Sequence, residues 1–230
     1  MRYKRIIKAS FVERYNRFVS RVEINGIPTD VHVKNTGRCK ELLIPGATVY
    51  LSDSENNERK YRYDLIAVEK QTENGVLLIN MDSSCPNDAV AEWLPKSGIL
   101  PENAYIKREY THGKSRFDFY FEAGDERGLI EVKGVTLENN GIVSFPDAPT
   151  ERGRKHLLEL AEAVKEGYYT AVIFVVQMDG VKCFRPNEIN DPDFASALRK
   201  AEKSGVHLFA LSCKVTPDSV NINGKIPIEL

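Results

Sequence analysis

The sequence predicts an α/β chain, of the α+β kind, with a small closed or half-closed β-barrel of the OB type at its N-terminus and a mixed α/β domain after it. Three observations predict this. About five strand-like runs crowd into the first 80 residues with no helical period. The remainder runs helix, three strands, helix, strand. The run "YYTAVIFVVQM" at 168–178 is apolar on both faces, as suits a central strand covered on both sides. A chain of 230 residues can hold two such cores, and the boundary is placed to divide 1–83 from 84–230.

The elements follow in order. "RFVSRVEI" alternates, with Phe18, Ser20, Val22 and Ile24 on one face, and Asn25-Gly26 supplies a hairpin turn before "TDVHVK". "PGATVYLS", the polar tip "DSENNERK", "YRYDLIAVEK" and, after Glu73-Asn74-Gly75, "VLLIN" complete the barrel. An SH3-like barrel would give a similar pattern. Asn87 is placed to cap a helix with Val90, Trp93 and Leu94 on one side. "NAYIKREY", "RFDFYFEA" and "GLIEVKGVTL" read as three strands, and "TERGRKHLLELAEAVKEG" as a helix with Leu157, Leu160, Ala161 and Val164 on one face. Asp191-Pro192 opens a further amphipathic helix carrying Phe194, Ala197, Leu198 and Ala201, with two short strands after Gly205.

Composition is that of an ordinary globular protein, 42% hydrophobic with a net charge of -1, so any nucleic-acid affinity must come from a local patch. No apolar run approaches the roughly 20 residues of a membrane span, and the N-terminal residues are too charged for a signal-peptide core. The expected location is the cytoplasm. Four cysteines, Cys39, Cys85, Cys183 and Cys213, form no CxxC pair and read as reduced, mostly buried thiols.

The unusual feature is charge in the middle of strands. Alternation gives Phe117, Phe119 and Phe121 one face of their strand and leaves Asp118 on the other, while Glu131 and Lys133 share a face of the next. Paired as a hairpin through "GDERG", the two strands bring Asp118, Glu131 and Lys133 together. Buried charges need a counter-ion, a salt bridge or a metal. Two carboxylates and a lysine suit a Mg²⁺ or Mn²⁺ site for phosphodiester chemistry. The competing reading makes the same residues ion pairs on a solvated sheet face.

Asp118, followed thirteen residues later by Glu131-Val132-Lys133, then a helix and a buried strand, resembles the PD-(D/E)XK nuclease superfamily, with Phe117 where the superfamily's name has proline. Longer matches resemble the sugar fermentation stimulation protein A family from end to end: "RYNRF" at 14–18, "NTGR" at 35–38, "PG" at 45–46, "REYTHGKSRFDF" at 108–119, "EVKGVTL" at 131–137, "FPDAPTERGRKHLLEL" at 145–160 and "GVHL" at 205–208. Cys39 stands where that family more often has methionine. The resemblance implies an N-terminal OB-like domain, a PD-(D/E)XK nuclease-like α/β domain, and a DNA-binding protein tied to sugar metabolism genes. It makes Glu109, Asp118, Glu131 and Lys133 the nuclease-like centre, with Asp118, Glu131 and Glu109 as ligands of a divalent Mg or Mn ion.

For Glu109 the alternative is a strand-end acid paired with Arg108 or Lys107. Asp147 and Thr150 read better as caps than as ligands. Arg152, Lys155 and His156, in or next to the first turn of the second helix, suit phosphate, with His156 a flank contact rather than a general base, and Arg116 in the second strand is a further nucleic-acid-binding candidate. Arg14, Tyr15, Arg17, Asn35, Thr36 and Arg38 suggest a polar and aromatic nucleic-acid surface on the barrel; Asn35-Thr36-Gly37 is also good turn chemistry without any ligand.

DNA is therefore the expected partner, RNA an open alternative, strandedness unassigned, and a homodimer compatible with the sequence. Two competitors stand beside a nuclease: a DNA-binding regulator that keeps the centre for metal or phosphate contact, and an enzyme of sugar or sugar-phosphate metabolism. Against the last, no Rossmann, P-loop or kinase-type glycine motif is present.

Overall fold

A computed structural model describes residues 1–230 apart from Thr36, Asn57 and Asn74. Asn74 of the expected hairpin turn and Asn57 of the expected polar tip thus lie outside the described residues. The N-terminal part holds six strands: β1 (Ile6–Arg14), β2 (Val19–Ile24), β3 (Ile27–Val33), β4 (Thr48–Asp53), β5 (Tyr63–Thr72) and β6 (Gly75–Asn80). They run in the order β3-β2-β1-β4-β5-β6, and a short parallel pairing of β3 with β5, His32 to Asp64 and Val33 to Leu65, closes a five-stranded barrel. β1 is a strand beyond the five expected: its charged residues Lys8, Glu13 and Arg14 mask an alternation that buries Ala9 and Phe11. Phe18, expected on the buried face, precedes β2 and is exposed.

Then come α1 (Cys85–Trp93), β7 (Tyr105–His112), β8 (Ser115–Ala123), β9 (Glu126–Val135), β10 (Leu137–Asn139), β11 (Ile142–Phe145), α2 (Glu151–Lys165), β12 (Tyr169–Val176), β13 (Cys183–Pro186), α3 (Pro192–Lys203), β14 (His207–Thr216) and β15 (Ser219–Lys225). The main sheet has the order β15-β14-β12-β9-β8-β7, with β12 parallel to both β9 and β14. The strand apolar on both faces is central, as its composition requires. Its even residues Val172, Phe174 and Val176 share a core with Leu157 and Leu160 of α2 and Phe194 and Leu198 of α3. Its odd residues Ala171, Ile173 and Val175 share the other core with Val90 of α1 and Leu94. The sheet is thus a middle layer, with α1 on one face and α2 and α3 on the other.

The short sheet β10-β11-β13 is absent from the sequence reading, which runs β9 on through Leu137; β9 ends at Val135 and the chain turns back at Asn140-Gly141. All four cysteines are free and buried, and among the described residues no helix is long and apolar enough to cross a membrane.

The barrel and the sheet are joined by buried polar contacts. Gln177 Nε2 donates to Asn80 Oδ1 at 2.9 Å and to the Asp82 carbonyl at 3.1 Å, and the Asn80 amide returns a bond to the Gln177 carbonyl at 2.9 Å. Lys34 pairs with buried Asp82 at 2.6 Å, and Lys70 with Glu138 at 2.6 Å. The first residues reach the far edge of the sheet: the Tyr3 amide donates to the Asp218 carbonyl at 2.7 Å and the Val220 amide to the Met1 carbonyl at 3.0 Å.

Candidate nucleic-acid and divalent-cation site

The strand pair β8–β9 keeps regular register from Ala123↔Glu126 to Phe119↔Ile130 and stops there. At the next position the Asp118 side chain enters the ladder: its Oδ2 accepts the Val132 amide at 2.7 Å and its Oδ1 accepts Asn87 Nδ2 of α1 at 2.8 Å. The alternation breaks with it. Phe119 and Phe121 pack on the α1 side, whereas Phe117, expected to share their face, joins the α2 core and lies 5.7 Å from the His156 ring. Asn87, expected as a helix cap, lies inside the first turn of α1, whose cap position is Ser84. That turn faces β9 closely: a β-carbon on Gly134 would stand 2.8 Å from Pro86 and 2.6 Å from Gln177 Oε1, so only glycine fits there.

Glu131 projects from β9 toward α2 and is 3% exposed. Its Oε1 accepts Lys133 Nζ at 2.5 Å and meets His156 Nδ1 at 2.5 Å, while its Oε2 is buried with no partner among the described residues. Burial pushes the Glu131 carboxyl up, but the His156 hydrogen bond and the Lys133 ammonium outweigh it and hold the group below the usual carboxylate range. Asp118 goes the other way. Burial first, and then the nearby Glu131 charge, raise its carboxyl against the Val132 amide, Asn87 and Lys133. The two acids thus repel each other in a poorly solvated place, and one of them keeps a buried lone-pair oxygen free.

Glu109, expected as a third ligand, is not brought to this pair. It sits at φ 54° on edge strand β7, its side chain 64% exposed, facing Arg116 at 3.4 Å. The basic partner foreseen for it on β7 is thus supplied by β8 instead. Among the described residues no three His, Cys, Asp or Glu side chains gather closely enough to hold a metal. Two carboxylates nevertheless suffice for Mg²⁺, which keeps several waters and takes one or two protein oxygens.

Two cavities are lined by neighbours of the pair, one by Gly134 of β9 and the other by His156, though by neither Asp118 nor Glu131 themselves. The larger, about 830 Å³, opens between the barrel and the α/β part and is lined by Arg17, Asn35, Arg38, Lys40, Gly134, Thr136 and Thr150, among others. Arg14 shapes its rim. The Arg14 guanidinium donates to the carbonyls of Asn16, Arg17, Asn35, Gly37 and Arg38, which uses all five of its N–H groups. Arg14, expected to contact nucleic acid, is thus engaged in holding the loop that carries Arg17 and Arg38. Asp147 assists, accepting the Arg38 amide at 3.1 Å, and a β-carbon on Gly37 would lie 2.7 Å from its carboxylate.

Tyr15 lies off this cavity, 44% exposed, with the Arg21 guanidinium 5.3 Å from its ring. Thr36 lies outside the described residues.

The smaller cavity, about 550 Å³, gathers Lys114, Ser115, Arg116, Glu151, Arg152, Lys155 and His156 at the start of α2. Thr150 caps that helix, its hydroxyl accepting the Gly153 amide at 3.0 Å, as its sequence position suggests. Arg152, Lys155 and Arg116 are exposed, but His156 is not the flank contact expected: it is 4% exposed and orients Glu131 from beneath. Sequence reasoning also missed Asn87 and Gln177. Only their distant partners, Asp118 and Asn80, give them a role, and no local pattern shows that.

Comparison with known proteins agrees with this architecture. Residues 12–79 match the family model described as the SfsA N-terminal OB domain, and residues 84–219 match the sugar fermentation stimulation protein RE domain. The chain is 50% identical over its whole length to sugar fermentation stimulation protein homologs of Desulfitobacterium hafniense (strain Y51) and Clostridium beijerinckii, covering 99% and 100% of those chains. The solved structure of Pyrococcus furiosus SfsA in complex with Ca2+ is similar at a TM-score of 0.86 and 27% identity, covering 100% of this chain and 98% of that one.

Proposed function

The chain belongs to the sugar fermentation stimulation protein family, and we propose that it is a nucleic-acid-binding protein, with DNA as first partner, whose Asp118–Glu131–Lys133 centre uses a Mg²⁺ or Mn²⁺ ion in phosphodiester hydrolysis. The observation that carries this reading is the free, buried Glu131 Oε2 beside a second carboxylate whose ionisation burial opposes. A hard cation would relieve both. A relative described in complex with Ca2+ supports a cation of this class, and such an ion supplies an activated water and neutralises phosphoryl charge.

In this reading Asp118 and Glu131 would hold the ion through oxygen, and Asn87 and His156 fix their orientation. Lys133, which donates to Glu131 Oε1, would offset charge on a phosphate bound beside the pair. Arg17, Asn35, Arg38 and Lys40 line the path of a strand along the larger cavity, with the barrel as the binding half and residues 84–230 as a PD-(D/E)XK nuclease-like half. Glu109 and Arg116 close the outer side as an ion pair that a phosphate can open.

A second reading has its own observation. Lys133 is tied to Glu131 at 2.5 Å, which suits a DNA-binding protein that uses the centre for contact without turnover.

Divalent-dependent cleavage of labelled single- and double-stranded DNA and RNA, run beside Glu131→Ala and Lys133→Ala, separates the readings. Cleavage abolished by both substitutions supports the hydrolytic centre. Salt-sensitive binding without cleavage, weakened by Lys133→Ala, leaves the regulator that uses the centre for contact. Turnover of a sugar phosphate with nucleic acid inert would sink both.

A further inference from the structure

We propose that the smaller cavity at the start of α2 is a pocket for the terminal phosphate of a nucleic-acid strand, so that the centre is presented with strands from a phosphorylated end; this rests on the nucleic-acid reading above. Its lining is strongly one-sided: Lys114, Arg116, Arg152 and Lys155 face a single lining acid, Glu151. Their other engagements are weak. Arg116 meets Glu109 at 3.4 Å and Lys155 meets Glu159 at 3.6 Å, while Lys114 and Arg152 have no carboxylate partner among the described residues. The Arg152 Nε lies 3.5 Å from His156 Nε2.

An independent feature points to a ligand. Ser115, which also lines the cavity, is only 5% exposed, and its hydroxyl has no hydrogen-bond partner among the described residues. A buried hydroxyl without a partner is costly, and such groups call for an explanation. Ser115 opens β8 beside the first turn of α2, where Thr150 takes the Gly153 and Arg154 amides and the Glu151 and Arg152 amides before them favour an anion. Hydroxyl, amides, guanidinium and ammonium groups together form a donor set for an oxyanion with several free oxygens.

The number of donors selects which phosphate. An internal phosphodiester carries one negative charge and two free oxygens. A terminal monoester carries close to two charges and three acceptor oxygens, and the Ser115 hydroxyl with four basic side chains, two of them held by no carboxylate among the described residues, serves the larger set. The pocket is also wired to the centre: Arg152 touches His156, and His156 holds Glu131 at 2.5 Å. A strand end fixed here places a nearby linkage at Asp118 and Glu131, a device that selects ends over continuous backbone.

The test is equilibrium binding of short labelled oligonucleotides of one sequence, with 5′-phosphate, 3′-phosphate or hydroxyl ends, in excess chelator so that neither cleavage nor a cation at Asp118 contributes. Inorganic phosphate serves as competitor. The expected result is about tenfold or tighter binding of one phosphorylated end, equivalent to about 1.4 kcal/mol. That preference should vanish in Arg152→Gln and shrink in Ser115→Ala, and inorganic phosphate should erode it in the wild type. Arg152 is exposed, so an unfolding midpoint for Arg152→Gln equal to wild type separates lost contact from lost fold. Intact binding with equal affinity for phosphorylated and hydroxyl ends overturns the end pocket and leaves the nucleic-acid reading standing. Failure to bind any oligonucleotide, with inorganic phosphate still captured in an Arg152-dependent way, overturns the nucleic-acid reading and assigns the pocket to a small phosphate ester.

Discussion

Replacing Glu131 with glutamine tests the charge arrangement without reference to function. Glu131 and Lys133 side chains are 4% and 15% exposed and joined at 2.5 Å, with His156, also 4% exposed, on the same oxygen. Glu131→Gln keeps the shape and removes the charge that both donors face. Removing one partner of a buried pair costs about 3–5 kcal/mol. The glutamine oxygen still accepts one of the two donors, which recovers about 1 kcal/mol, so a net loss of about 2–4 kcal/mol is expected. Against a total stability on the order of 5–15 kcal/mol the protein stays folded. Adding Lys133→Met removes the stranded ammonium and should return stability to within about 1 kcal/mol of wild type or above it, since a buried pair replaced by neutral groups of similar size is often no less stable. The assay is equilibrium denaturant unfolding of the four proteins of the cycle in chelator, with equal m-values required for comparison. A Glu131→Gln cost below about 0.5 kcal/mol, or a Lys133→Met effect of the same sign and size in both backgrounds, would refute the claim that these charges are buried against each other.

Three further outcomes follow from other parts of the molecule. Asp64 is pushed up by burial but held below the usual carboxylate range by Arg59 at 2.9 Å and His32 at 2.8 Å; a depressed acid stabilises above its unfolded value and loses that stability as pH falls through its folded one. Asp64→Asn should therefore cost about 1 kcal/mol near neutrality and leave a shallower acid limb in pH-dependent melting, and an unchanged acid limb would count against it. Gly134→Ala forces a methyl against Pro86 at 2.8 Å and Gln177 at 2.6 Å, an overpacking of about 1–3 kcal/mol that a thermal melt would show as a lowered midpoint. Arg14→Lys leaves an ammonium with three donors where five carbonyls are served; tryptic cleavage at Arg17 and Arg38 should quicken, and on the proposed nucleic-acid function DNA affinity should fall alike for all sequences, whereas lost affinity without quicker cleavage would make Arg14 a direct contact.

The fold was legible where one local rule governed. Period-two alternation marks β2, turn residues between apolar runs mark the barrel strands after it, the doubly apolar run marks β12 as central, and Asp191 and Thr150 announce their helices through side chains that accept the Phe194 and Gly153 amides. Legibility failed where distant partners decide. β1 hides its pattern behind charged residues on the barrel's outer side, and β10 and β11 are short strands of which β11 is held by β13, from chain some 40 residues away. At the site, Asp118, Glu131 and Lys133 could be seen because charges stood where strands should be apolar. His156 could not be assigned, since a histidine four residues after an arginine on a basic helix start looks like surface until the helix is packed.

The break at Asp118 ties these observations into one cause. A carboxylate that accepts the Val132 amide displaces the backbone carbonyl that would otherwise take it, so regular pairing must end there. Beyond that point β8 is held by β7 alone, Tyr110 opposite Phe117, and Phe117 lies on the α2 side, where it packs near His156. His156 in turn holds Glu131, which lies at the position where the lost pair would have been. Strict alternation through residues 117–121 would have kept Phe117 with Phe119 and left His156 unsupported. The departure from the strand pattern is thus what brings both carboxylates to one edge of β9, and the stability given up in the ladder reappears as the fixed geometry of the centre.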